Sequence, residues 1–78
     1  MEMNLLEYEL MAEAIKVRIG ARIREIRTNK GLTQVQLETL AGVKQQAIHL
    51  YETGQRSPSL EVLEKIAKAL RVDLKELF

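Results

Sequence analysis

Apolar residues in this chain recur at steps of three and four, and nowhere do β-branched or aromatic residues alternate over a run. Only a helix gathers such spacings onto one face, so the pattern points to an all-α chain. Ile15, Ile19, Ile23 and Ile26 form the first stripe, closed by Asn29-Lys30-Gly31, where glycine after a basic residue stops a helix. Thr33-Gln34-Val35-Gln36 has the form of a capping box. The Thr33 hydroxyl takes an orphaned amide N–H while the Gln36 side chain reaches back to the Thr33 backbone. The helix it opens is expected to run to about Ala41 and stop at Gly42. A third helix covers roughly residues 45–52 and ends at Thr53-Gly54. Ser57-Pro58-Ser59 opens a fourth with the stripe Leu60, Leu63, Ile66, Ala67 and Leu70. Asp73-Leu74-Lys75-Glu76 starts a short fifth helix, with Leu74, Leu77 and Phe78 turned inward. The expected fold is all-α, with five short helices around one core.

Seventy-eight residues make one small domain. Without cysteine there is no disulfide or thiolate cluster to brace it, and a single histidine, His49, builds no zinc site alone, so no metal is expected. The composition, 46% hydrophobic and 29% charged, excludes a disordered chain, and no apolar run approaches the roughly 20 residues that cross a bilayer. Met1-Glu2-Met3-Asn4 puts no positive charge ahead of an apolar stretch, so it does not read as a signal peptide, and the cytoplasm is the expected compartment. The sequence offers no carboxylate pair with a cleft, no nucleophile–base set and no phosphate-cradling glycine loop. No catalytic residue and no cofactor is expected, and the chain does not read as an enzyme.

The net charge of +1 hides a segregation. Residues 1–15 carry Glu2, Glu7, Glu9 and Glu13 and no base, whereas residues 16–30 carry six bases against Glu25. Such a basic block suits either a face prepared for a polyanion or a plain solvated helix surface. The N-terminal residues pose a second choice. At about 100° per residue, Leu6, Leu10, Ala14 and Val17 fall on one side of a helix, roughly 180° from the stripe of Ile15, Ile19, Ile23 and Ile26. Either the chain breaks before Val17 and folds back, or the side carrying Leu6, Leu10 and Ala14 packs on another copy or on a protein partner. Residues 1–16 are therefore set apart as an N-terminal helical extension and residues 17–78 as the domain proper.

Thr33 to Glu52 reads as helix, tight Gly42-Val43 turn, helix. In projection the second helix packs through Ala47, Ile48 and Tyr51 and turns Gln46, His49 and Thr53 outward, flanked by Gln45 and Leu50. Glutamine amides bind adenine through N6 and N7 in the DNA major groove, while neighbouring cations hold phosphates. The same glutamines also suit a bare polar surface. His49 has no catalytic partner in the sequence and reads as solvated or base-facing.

Several segments together resemble the Cro/repressor-type (Xre) helix-turn-helix family. They are Ile19-Gly-Ala-Arg-Ile-Arg-Glu-Ile-Arg27, Gly31-Leu-Thr-Gln-Val-Gln-Leu37, Gly42-Val43, Ile48, Tyr51-Glu52-Thr-Gly54, Ser57-Pro-Ser-Leu60 and Ile66-Ala-Lys-Ala-Leu-Arg-Val-Asp-Leu-Lys-Glu-Leu-Phe78. The likeness covers about residues 17–78 in the right order, and Gln45-Gln46 is similar to the pair in phage repressors. It implies a repressor-like DNA-binding domain and a sequence-specific regulator of transcription, a repressor or autoregulator. Such a protein reads palindromic double-stranded DNA as a symmetric homodimer. The resemblance implies a phosphate contact for Gln34 at a helix N-terminus. It gives DNA-binding roles to Lys44, Gln45, Gln46, His49 and Leu50 on the recognition helix, whose outward face includes Thr53, and to Arg56 in the loop that follows. Arg27 and Glu52 match an internal salt bridge of many members, and removing one partner of a buried pair costs about 3–5 kcal/mol. Arg22 and Lys30 are secondary phosphate candidates.

Some positions depart from the family pattern. Glu38 stands where a small alanine lets two helices cross, so its carboxylate is expected to turn to solvent or find a cation. Lys44 replaces the usual serine cap, giving up about 1 kcal/mol while offering a cation to phosphate. Leu50, more often polar, suits a thymine methyl or another protein chain, and Leu40 is more apolar than a surface position needs. These residues support a second reading from another class: a protein-interaction module or antitoxin-like partner-binding protein on the same scaffold.

Overall fold

The computed structural model describes residues 2–78; Met1, the first residue of the expected extension, lies outside them. The described residues form α1 (Leu5–Asn29), α2 (Gln34–Ala41), α3 (Gln45–Glu52), α4 (Leu60–Leu70) and a closing 3-10 turn, Leu74–Leu77, with no strand among them. The all-α expectation holds, but the count of five helices does not. The last element closes through i to i+3 bonds, Glu76 N–H to Asp73 O at 2.9 Å and Phe78 N–H to Lys75 O at 3.2 Å, so it is a tight turn and not a fifth α-helix.

At the N-terminus one of the two alternatives falls. α1 is a single helix of 25 residues, begun by the Asn4 side chain accepting from Glu7 N–H at 2.8 Å. It passes Val17 without a break, so the fold-back is excluded. Its two apolar faces coexist because its halves meet different surroundings. The C-terminal half buries Ile19, Gly20, Ile23, Ile26 and Arg27, whereas Leu5, Leu6, Tyr8, Leu10, Met11 and Ile15 stay exposed. Ile15, expected in the core, stands beyond the body that covers Ile19. At about 1.5 Å per residue α1 is roughly 37 Å long, which accounts for a molecule of 42 × 23 × 21 Å.

Ile23, Leu37, Ile48, Ile66, Leu70 and Leu77 are fully buried and join α1 to α4 and the 3-10 turn in one core. Leu60 and Phe78 were expected inside and are exposed. Leu60 is the first residue of α4, ahead of the part that meets the core, and Phe78 lies across Ile15, Arg18 and Ile19 at the rim of α1. The capping box at Thr33 is complete: Gln36 N–H donates to Thr33 Oγ1 at 3.0 Å, and Thr33 N–H to Gln36 Oε1 at 2.8 Å. Gly42 ends α2 in the left-handed region at φ 70°, a conformation that lets the chain reverse within one residue. Gly20 sits where α1 crosses α3. A Cβ there would lie 1.8 Å from the Tyr51 carbonyl oxygen, so only glycine permits the approach.

Candidate nucleic-acid interface

α3 is an eight-residue helix seated on Ile48 and Tyr51, both buried, with Ala47 half-buried beside them. On its other side Gln46, His49 and Thr53 are exposed and Gln45 and Leu50 half-buried, as the projection predicts. Lys44, just ahead of the helix, and Arg56, in the loop behind it, are exposed cations at its two ends. The face is open along its length. The Thr53 hydroxyl is less free than its exposure suggests. It donates to His49 O at 2.8 Å and accepts from Gln55 Nε2 at 2.7 Å.

The start of α3 is held by α2 in two ways. Lys44 gives no side-chain cap. Glu38 supplies one across the turn: its Oε1 accepts from Gln45 N–H at 2.9 Å. The Glu38 carboxylate therefore turns neither to solvent nor to a cation, as the sequence reading expected, because an orphaned amide at a helix N-terminus is a nearer and favourable partner for an anion.

The second tie is a chain of side chains rooted in a buried ion pair. Arg27 donates from Nε to Glu52 Oε2 at 2.6 Å and from its terminal nitrogen to Glu52 Oε1 at 2.8 Å, and both residues are buried. A further terminal nitrogen donates to Leu32 O at 2.7 Å, which locks the end of α1 to the α1–α2 connection. Hydrogen bonding to Glu52 raises the Arg27 pKa above its ordinary value, burial opposes this, and the attraction of the two charges adds to the rise. Gln34 Nε2 then donates to Glu52 Oε1 at 3.0 Å, and Gln45 Nε2 donates to Gln34 Oε1 at 2.7 Å.

A carboxylate only accepts, so Glu52 fixes which end of the Gln34 amide faces it, and Gln34 in turn fixes the Gln45 amide. Gln45 is left with its Oε1 and one N–H uncommitted, an acceptor and a donor side by side. Gln34 keeps one N–H besides the backbone amides of the α2 N-terminus. The geometry thus brings Gln34, Gln45, Glu52 and Arg27 into one network, while Gln46 and His49 carry no side-chain bond within the described residues. Arg22, a secondary cation, is committed elsewhere: it donates from Nε to Glu76 O at 2.8 Å and pairs with Glu25. The capping role of Glu38 and the Gln34–Gln45 link were missed from sequence. No group of histidine or acidic residues able to hold a metal occurs among the described residues, nor does any helix long and apolar enough to cross a membrane.

Three kinds of comparison bear on this arrangement. The helix-turn-helix family profile matches residues 23–77. An uncharacterized HTH-type transcriptional regulator of Archaeoglobus fulgidus is 39% identical over 57 residues, which is 73% of this chain and 81% of that protein. The endothelial differentiation-related factor 1 homolog of Danio rerio is 37% identical over 86% of this chain, which spans 46% of that protein's length. Among solved structures, the restriction-modification controller protein C.AhdI of Aeromonas hydrophila superposes with a TM-score of 0.81 at 43% identity, covering 83% of this chain and 98% of that one.

Proposed function

The chain belongs to the helix-turn-helix family of the Cro/repressor type, and on that premise we propose that it is a sequence-specific DNA-binding regulator of transcription, a repressor or autoregulator. In this reading α3 enters the major groove of a palindromic operator, and two copies engage two half-sites. The observation that carries the reading is the open face of α3, where Gln45 offers an acceptor and a donor together on a tethered amide. That pair matches the N6 and N7 edge of adenine. In this reading Gln46 and His49 serve the neighbouring bases, and Leu50 meets a thymine methyl. Gln34, Lys44 and Arg56 serve phosphates, with Thr53 at the far end of the face. The names of the Archaeoglobus and Aeromonas relatives support the regulatory role.

One eight-residue helix reads only a few base pairs, too few to single out a genomic site, which is the physical reason for two copies. Selection of genomic fragments by the purified protein, followed by footprinting, tests binding and symmetry together. Against the selected site, Gln46→Ala is expected to cost about 1–3 kcal/mol and to relax preference at one position. Lys44→Ala and Arg56→Ala weaken all sequences alike, each flattening the salt dependence by about one contact. Unchanged binding by Gln46→Ala would remove Gln46 from the reading face, and unchanged binding by Gln45→Ala as well would show that the bases are read elsewhere.

A protein-binding role has one observation in its favour. Val35 and Leu40 are exposed on the outer side of α2, and Leu40 borders a shallow groove with Leu32, Gln36 and Thr39. Salt separates the two readings, since binding to a phosphate backbone falls steeply as salt rises and an apolar contact does not.

A further inference from the structure

The projecting half of α1 carries two apolar stripes, and they are not equivalent. α3 and the turn after it meet α1 through Gly20, Arg27 and Val17, which lie against Tyr51, Glu52 and Gly54. Phe78 borders the other side of α1, over Ile15, Arg18, Ile19 and Arg22. At about 100° per residue these two sides are nearly opposite. Tyr8, Met11 and Ile15 fall on the Phe78 side, and with Phe78 they make a continuous row of large apolar side chains, each 44–52% exposed. Leu6 and Leu10 fall with Val17, on the side towards α3.

Charge tells what covers the row. Glu7 and Arg18 flank it at its two ends, eleven residues apart, which returns both to one side of the helix roughly 16 Å from each other. Neither forms an ion pair among the described residues, where the pairs are Glu13–Lys16, Arg22–Glu25, Arg27–Glu52 and Glu61–Lys65. A row that is acidic at one end, apolar in the middle and basic at the other complements an inverted copy of itself. Two antiparallel α1 helices crossing between Met11 and Ala14 bring Glu7 of each to the level of Arg18 of the other. Parallel helices would set like charge on like.

We infer that the row Tyr8–Met11–Ile15, bordered by Phe78, takes a second copy of this chain about a two-fold axis, with Glu7 and Arg18 as the reciprocal ion pairs. The inference rests on the homodimer reading above and gives that dimer a surface. Because the row faces away from α3, both reading faces stay uncovered when the copies join.

Sedimentation equilibrium of the full chain from about 1 to 100 µM tests it. The wild type is expected to dimerise, Met11→Glu and Ile15→Glu to raise the dissociation constant about 100-fold or more, and Leu10→Glu on the other stripe to leave it unchanged. Circular dichroism of each variant is expected to match the wild type, since these side chains lie outside the core. Glu7→Arg and Arg18→Glu each weaken the dimer, and the two together restore it. A monomeric wild type, a dimeric Met11→Glu, dissociation by Leu10→Glu alone, or failure of the double variant to recover overturns the inference. A wild-type dimer that behaves as expected but selects no DNA overturns the regulator reading and leaves this one standing.

Discussion

Glu38 caps α3 from α2, a task that the residue directly before α3, Lys44, cannot perform. Its carboxylate satisfies the first amide of α3 and places a negative charge at the positive end of the helix. Glu38→Ala is therefore expected to lower stability by about 0.5–2 kcal/mol in urea unfolding, with the slope unchanged. Glu38→Gln, which keeps an acceptor at the same reach, should retain most of it. Caps are legible in sequence when the capping side chain is a neighbour, as at Thr33 and Gln36. Glu38 and Gln45 are seven residues apart across a reversal, and nothing local relates them. The same holds for Gln34 and Gln45, eleven residues apart, whose link exists only because α2 and α3 cross. The exposure of Gln46 and His49 was legible because projection onto a helix needs only the sequence and the packed side.

At the level of elements, the α1–α3 crossing depends on Gly20. A Cβ at that position meets the Tyr51 backbone, which cannot rotate away as a side chain would, so the helices must separate. Gly20→Ala is expected to cost at least about 1–3 kcal/mol and to lower the melting temperature. DNA affinity should fall with stability, since the displaced element is the one that carries Gln45 and Gln46. A variant as stable as the wild type would show that the helices do not meet this closely in solution. The bounds of α2, α3 and α4 were legible because each is punctuated locally, by Thr33, Gly42, Gly54 and Ser59. α1 was not. Two opposite apolar stripes suggest a break only if both must be covered by the same chain. Leu, Glu, Met and Ala are good helix formers and leave the helix running through them. The final turn was misjudged for the opposite reason: a capping pattern at Asp73 marks a start but not how many residues follow in α geometry.

For the whole molecule, the proposed function makes the operator a record of the protein's symmetry. Footprints on selected DNA are expected to show two inverted half-sites centred about 34–36 Å apart on one side of the duplex. Binding should weaken linearly on a log–log plot against salt, and an isolated half-site should bind far more weakly than the pair. Equal affinity for one and two half-sites would rule out the cooperative dimer. The unbroken course of α1 from Leu5 to Asn29 ties this spacing to protein covalent geometry. In the proposed dimer, the row that takes the second copy and the glycine that seats α3 are stretches of one rod, so the distance between the two α3 helices is metered in helical residues. Adding a single residue between Ile15 and Ile19 would advance one end by about 1.5 Å and twist it by about 100°, throwing the two α3 helices out of phase with the double helix while leaving every base-contacting side chain intact.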